Sequence, residues 1–347
     1  MSLTYRTKRR LHRAGLIGAI VLLVAILVGF CWVIWLERYV VYTREGATLN
    51  FDVVDTPGAG QMAMPPSVGE TVPIYVNEGL DAIDLNRELS QLKGYYIDGE
   101  MLQTNVQGAR DIVARLPSDT AVMLEVKSIW GQFNYSSGVS NVTPSNRVDI
   151  AQVDKLITDI TSRNLYAIAV LPAFRDRYFF LANNKNTSLG LPIKGKGYLW
   201  EDDDRCYWFD PTEPQTISWL QEIVTELKGL GFDEVVFSEF RIPVTDRIRL
   251  SGDSTEIIGT AAQTLVTNCS TDSFTVSFLV EDSSFPMPSG RSRLFMKNVG
   301  PKNVGAVVAK LNFANPEAQL VFLCTTNDTR YDDYGVMRPI TMASTNK

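Results

Sequence analysis

Gly231–Pro243, GFDEVVFSEFRIP, is the stretch that decides the fold. Val235, Val236 and Phe237 form a short apolar run, the pattern of a strand buried on both faces. It ends abruptly in Ser238, Glu239 and Arg241. Before it, Ile217, Leu220, Ile223, Val224, Leu227 and Leu230 fall on one helical face, and Gly229 and Gly231 supply a stop. A helix that feeds a doubly buried strand implies a parallel sheet. Charge at such a strand's end points to the C-terminal rim, where α/β folds place their ligands.

The same alternation extends both ways. Strands are expected at Gly94–Ile97, Ala121–Val126 and Tyr166–Leu171, with helices near Val106–Leu116, Ile150–Arg163 and Thr212–Leu230. After the Val235 strand, a helix is expected near Thr255–Asn268 and another near Pro301–Leu311. Further strands are expected at Phe274–Val280, Arg293–Lys297, Gln319–Cys324 and Gly335–Ile340. Eight strands alternating with helices predict a (β/α)8 TIM-type barrel over 91–341. The Ser- and Pro-rich stretch between Val280 and Arg293 predicts a connection without a helix, and so an incomplete second half.

Four segments carry a family resemblance. GFDEVVFSEFRIP resembles GFDEIQFDYIRFP, a signature of the bacterial family described as "Putative glycosyl hydrolase domain". Lys93–Ile97 resembles that family's opening KGIYV strand. Val122–Tyr135 resembles its D-V-K-D strand with a following G-x-x-x-Y, and Tyr166–Asp176 its third strand and F-K-D. The likeness spans about Leu92–Pro243. It implies a barrel acting on glycans, and it places Glu125, Asp176 and Arg241 at matching positions. The chain departs from the pattern at Ser128 and Ser238, where the family carries acids. Hydroxyls are poor acids and bases at neutral pH, so the departure bears on activity more than on fold.

Composition narrows the chemistry. The only histidine, His12, lies in the leader, so the body can hold no Ser-His-Asp or Cys-His pair and no histidine-ligated metal. Carboxylates must move the protons, which suits glycoside hydrolysis. Neither a metal nor a cofactor motif is read. Of 33 basic residues, five (Arg6, Lys8, Arg9, Arg10, Arg13) precede residue 15, which leaves 28 against 39 acids, a net −11. An acidic body argues against nucleic acid as a partner. Cys206, Cys269 and Cys324 form neither a disulfide framework nor a CxxC pair.

The 22 uncharged residues Gly15–Leu36 can cross a bilayer. No small-x-small cleavage site follows them, so an uncleaved membrane anchor is expected, with the basic leader 1–14 cytoplasmic and the body outside. Residues 37–90 read as a linker and 342–347 as a tail.

The candidate catalytic residues are Glu125 and Glu239, with Asp176 in reserve. Trp130, Tyr135, Trp200, Trp208 and Arg241 are candidate substrate contacts, equally readable as loop packing or a rim salt bridge. Trp200 and Trp208 sit in the longest connection, Pro172–Asp210, a length usually reserved for function. The expected partner is a polysaccharide or cell-wall glycan. The alternatives are an inactive glycan-binding barrel and a structural envelope protein.

Overall fold

A computed structural model describes residues 40–43, 46–49, 89–185 and 188–340. The chain divides into two units, 1–70 and 71–347. In the first, Val40–Thr43 and Gly46–Leu49 pair as an antiparallel hairpin. The expected anchor at 15–36 lies outside the described residues. Among the described residues no helix is long and apolar enough to cross a membrane.

The second unit is built on eight strands: β1 (Lys93–Ile97), β2 (Ala121–Glu125), β3 (Tyr166–Pro172), β4 (Glu234–Ser238), β5 (Thr275–Val280), β6 (Leu294–Met296), β7 (Leu320–Leu323) and β8 (Gly335–Pro339). All pair parallel in chain order, and β8 pairs back to β1, so the barrel is closed. The helices are α1 (Gly99–Val113), α2 (Ile150–Thr161), α3 (Tyr178–Ala182), α4 (Pro214–Gly229), α5 (Ser254–Cys269), α6 (Val304–Leu311) and α7 (Pro316–Gln319). No described helix lies between β5 and β6, as the Ser- and Pro-rich stretch predicts. The barrel closes all the same.

Closure follows from strand alternation, which sends neighbouring residues to opposite faces. Val122, Leu124, Ala167, Ala169, Val235, Phe237, Val276 and Phe278 join one apolar layer beneath the helices. Met123, Ile168, Val236, Leu279, Phe295, Val321 and Met337 fill the interior. Gly94 permits a close approach of β1 to β2, because a Cβ there would meet the Ala121 carbonyl oxygen at 1.9 Å.

Two boundaries differ from expectation. Helix α1 starts seven residues early, at Gly99, because Asp98 caps it by accepting the Met101 N–H. Its non-helical break at Asn105 hides the first half from periodicity. Helix α4 starts at Pro214, because a residue before proline avoids the helical region and Glu213 is extended. Asp210, just before it, closes a turn by accepting the Thr212 N–H and hydroxyl.

Candidate active site

Alternation fixes which side chains enter the mouth. Beyond the apolar interior layer, Tyr96, Glu125, Ser238, Glu281 and Lys297 come next on the inward-facing register, one from each of β1, β2, β4, β5 and β6 or the residue just past it. Glu125 ends β2 level with Val170 of β3, which is itself level with Val236 of β4. It is the most enclosed acid of this set. Its Oε2 accepts the Gly99 N–H at 3.1 Å, and a Cβ at Gly99 would lie 2.8 Å from the other carboxyl oxygen. Burial raises the Glu125 pKa above the ordinary carboxylate range; the Gly99 hydrogen bond opposes this, and Asp98 adds to it. Asn134 donates to the Glu125 carbonyl at 3.0 Å and ties the strand end to its loop.

Glu239 directly follows β4. Continued alternation would turn it away from the interior, but the strand stops at Ser238 and Glu239 takes φ +48°, in the left-handed region. A non-glycine residue held there is strained by about 1–2 kcal/mol, and that backbone turn breaks the alternation of β4. Its carboxylate pairs with Arg241 at 3.0 Å. The Arg241 guanidinium in turn lies 4.8 Å from the centre of the Trp208 ring. Glu239 also adds to the negative field on Arg175. Burial disfavours the Arg175 charge, but Asp202 at 2.6 Å outweighs it, and Asp204 also lies at 2.6 Å. Trp208 Nε1 donates to the same Asp202 carboxylate at 3.1 Å.

Three expected ligand contacts are taken up inside the protein. Asp176 is sealed from solvent, with its Oδ2 2.8 Å from Lys127 Nζ, equally buried, and its Oδ1 accepting the Phe179 N–H at 2.7 Å. Gly131 packs so closely on it that a Cβ would lie 1.9 Å from Oδ1. Burial raises the Asp176 pKa, and Lys127 works against that rise. This pair clamps the loop after β2 to the loop after β3 and leaves Asp176 no face for a substrate. Tyr135 is buried and donates to Glu226 of α4 at 2.6 Å, so it packs against the outer helices rather than the mouth. Trp208 is buried, with Arg241 standing over its ring. The long connection is itself folded: Arg175–Asp176 pairs with Tyr207–Trp208, and Phe179, Phe180, Phe209 and Trp219 pack ring on ring beneath it. Its length therefore reflects a small core of its own. Trp130 and Trp200 remain half-exposed; Arg147 lies over the first, and the second packs 6.5 Å from Trp208.

Residues 96–267 match the family model described as "Putative glycosyl hydrolase domain". Over this stretch, just under half of its length, the chain is similar to that family. No curated protein matches the chain in sequence. Among solved structures, a hypothetical protein from Ruminiclostridium thermocellum ATCC 27405 is 22% identical, with a TM-score of 0.45, over 53% of this chain and 96% of that one. The GH20 exo-β-N-acetylglucosaminidase of Vibrio harveyi is 8% identical, with a TM-score of 0.51, over 74% of this chain and 51% of that one. The chain thus spans about half the length of the Vibrio harveyi protein, and the likeness is one of fold.

The family's two substituted acid positions now have places. Ser128 closes a tight turn: its N–H donates to the Gln132 carbonyl at 2.8 Å, and its hydroxyl accepts the Gln132 N–H at 3.2 Å. Ser238 lies on the inward register of β4, half-buried, and its carbonyl accepts the Ala173 N–H. Sequence reading missed Tyr96 and Lys297. Inward alternation from Gly94 and from Phe295 would have placed both. Lys297 pairs with Glu281 at 3.1 Å, and burial raises the Tyr96 pKa, helped by Asp98 and Cys324. Cys206, Cys269 and Cys324 are free thiols; burial pushes Cys206 up to about 12, so it is not a ready nucleophile.

Proposed function

We propose that this barrel is a glycoside hydrolase acting on a polysaccharide, with Glu125 as proton donor and Glu239 as the carboxylate opposite it. The observation that carries the reading is Glu125 itself: an inward carboxyl at the mouth whose burial favours the protonated form. A general acid needs that protonation state near neutral pH. Glu239, paired with Arg241, supplies the second carboxylate.

One strand, β3, stands between the two bearers. Two interstrand spacings, together with the three-residue offset of Glu239 beyond Val236, the residue level with Glu125, put their backbones roughly 14 Å apart. That favours the wide arrangement, with carboxyls about 6.5–9.5 Å apart and room for a water, and hence inversion at the anomeric carbon. The test is reducing-end release from a polysaccharide panel, with the fresh product's anomer read by NMR. The expected result is an inverted product and a loss of turnover in Glu125→Gln. A retained product would sink the pairing of these two carboxylates.

A second reading, glycan binding without cleavage, draws on Ser128 and Ser238, hydroxyls where the family carries acids. Binding without turnover, unchanged by Glu125→Gln, would favour it. We further propose that residues 15–36 anchor the protein in the cell membrane, with the barrel outside the cytoplasm and cell-envelope glycan within reach. Protease accessibility of the barrel in intact cells tests the topology.

A further inference from the structure

We propose that an exposed basic ribbon beside the mouth binds an anionic glycan, one bearing carboxylate or phosphate groups along its length. This rests on reading the mouth as a glycan site and names the substrate class that site would take. The ribbon joins two of the mouth's loops. Pro192–Leu199 is a hairpin in the connection after β3, closed by the Ile193 N–H donating to the Tyr198 carbonyl at 2.9 Å. A stretch of the connection after β4 runs antiparallel beside it, with Ile193 opposite Ile248. The Lys194 N–H donates to the Arg247 carbonyl, and the Arg249 N–H to the Pro192 carbonyl, both at 2.8 Å.

That register sets Lys194 directly opposite Arg247. Like charges facing each other across a ladder are unfavourable, so a fold built for stability alone would not choose them. Lys196 and Arg249 extend the patch, and all four are exposed. Among the described residues none of the four has an ion-pair partner. Residues 188–200 contain no acid, and 241–250 contain only Asp246. The concentration of cations stands out because the chain beyond residue 14 is net acidic. At physiological salt that background is screened beyond about 8–10 Å, so the patch acts on what touches it.

A glycan is favoured over other polyanions by what adjoins the cations. Tyr198, 73% exposed at the hairpin's end, offers a ring face on which a sugar can stack. Trp200, two residues on, packs against Trp208; Trp208 carries Arg241, and Arg241 holds Glu239. A polymer lying on the ribbon is thereby led toward the proposed carboxylates.

The test uses the full chain carrying Glu125→Gln, so that bound polymer is not turned over. Its affinity is measured for polygalacturonate, for poly(glycerol phosphate) and for a neutral β-glucan, at low and high salt. The two anionic arms separate carboxylate from phosphate recognition. We expect at least one anionic polymer to bind on the order of tenfold tighter than the neutral one, with the preference fading in salt. Adding K194Q/K196Q/R247Q/R249Q should remove that preference and leave neutral binding unchanged. K194Q/K196Q alone, confined to the hairpin turn, should remove about half of it and serves if the fourfold variant folds poorly. Equal binding of charged and neutral polymers, unaltered by the substitutions, overturns the ribbon proposal while the mouth reading stands. Binding of no glycan at all overturns the mouth reading and the ribbon with it. Tighter binding to phosphatidylglycerol vesicles or to single-stranded DNA than to any glycan, lost in the fourfold variant, overturns the ribbon's assignment to sugar.

Discussion

At the base of the barrel, Glu234 meets Arg293 at 2.6 Å with both side chains out of solvent. Tyr166 donates to Glu234 at 3.0 Å, Ser277 donates to its other oxygen, and Arg293 also donates to the Ala318 and Ser90 carbonyls at 3.0 and 3.1 Å. At the mouth, Glu125 has one backbone N–H, and Glu239 has the half-exposed Arg241. The base therefore satisfies its buried charge on nearly every side, while the mouth leaves oxygen lone pairs open. A barrel whose charges served stability alone would treat its two ends alike. The contrast separates the acids that hold this fold from those free to meet a ligand.

The contrast breaks most sharply at Arg293. Arg293→Met would leave Glu234 buried without its cation, which typically costs about 3–5 kcal/mol. The mouth equivalent, Arg241→Met, removes a partner that is 56% exposed and should cost under about 1 kcal/mol. Urea denaturation of the two variants measures the difference, and equal losses would show that the ends do not differ in this way.

Glu125→Gln should divide stability from activity. Turnover should fall about a hundredfold or more, because the proton donor is gone. Stability should move the other way at neutral pH. The folded protein holds the Glu125 proton more tightly than the unfolded chain does, so ionising that group costs folding energy as pH rises through its raised pKa. The glutamine variant escapes this cost, and its thermal midpoint should exceed the parent's above that range and match it at low pH. A variant less stable at every pH would make Glu125 a structural group.

Asp233 gives the base its own pH signature. It precedes Glu234, and its carboxylate accepts the Ala167 N–H at 2.7 Å. Burial raises its pKa from 3.8 to about 6, against that hydrogen bond and with help from Glu234. A folded pKa above the unfolded one means stability is lost as pH climbs between those values. Asp233→Asn should recover on the order of 1–2 kcal/mol at pH 7, discounted for the group's partial exposure. Calorimetry at pH 4 and pH 7 checks this, and activity per folded molecule should not change.

Much of this architecture was legible because its signals are local. Eight apolar runs of strand length marked the strands nearly to the residue, and Gly231 marked the turn into β4. Glu125 was legible as an acid closing such a run. Other features depend on partners far along the chain. Asp176 looked available because Lys127, 49 positions earlier, cannot be seen as its partner from spacing. Tyr135 looked like a sugar contact until Glu226, from α4, appeared beside it. Glu234 and Arg293 escaped notice because each sits at a strand's start, where charge commonly faces solvent. Glu239 depended on a backbone twist that strand alternation does not foresee.

The smallest expected effect probes the one hydrogen bond that holds Glu125. In Gly99→Ala the new Cβ would lie 2.8 Å from Glu125 Oε1, the far end of a flexible side chain, so the carboxyl can shift and the fold should lose under about 1 kcal/mol. The shift weakens the Gly99 N–H contact, the interaction that opposes the raised pKa. With it weakened, the acid should hold its proton to higher pH. The basic limb of the pH–rate profile should then move upward, while the acidic limb should stay. An unchanged basic limb together with a lowered maximal rate would mean that Gly99 shapes the cleft without tuning the acid. A shift confined to the basic limb would tie that limb to Glu125 through a substitution that touches no titrating group.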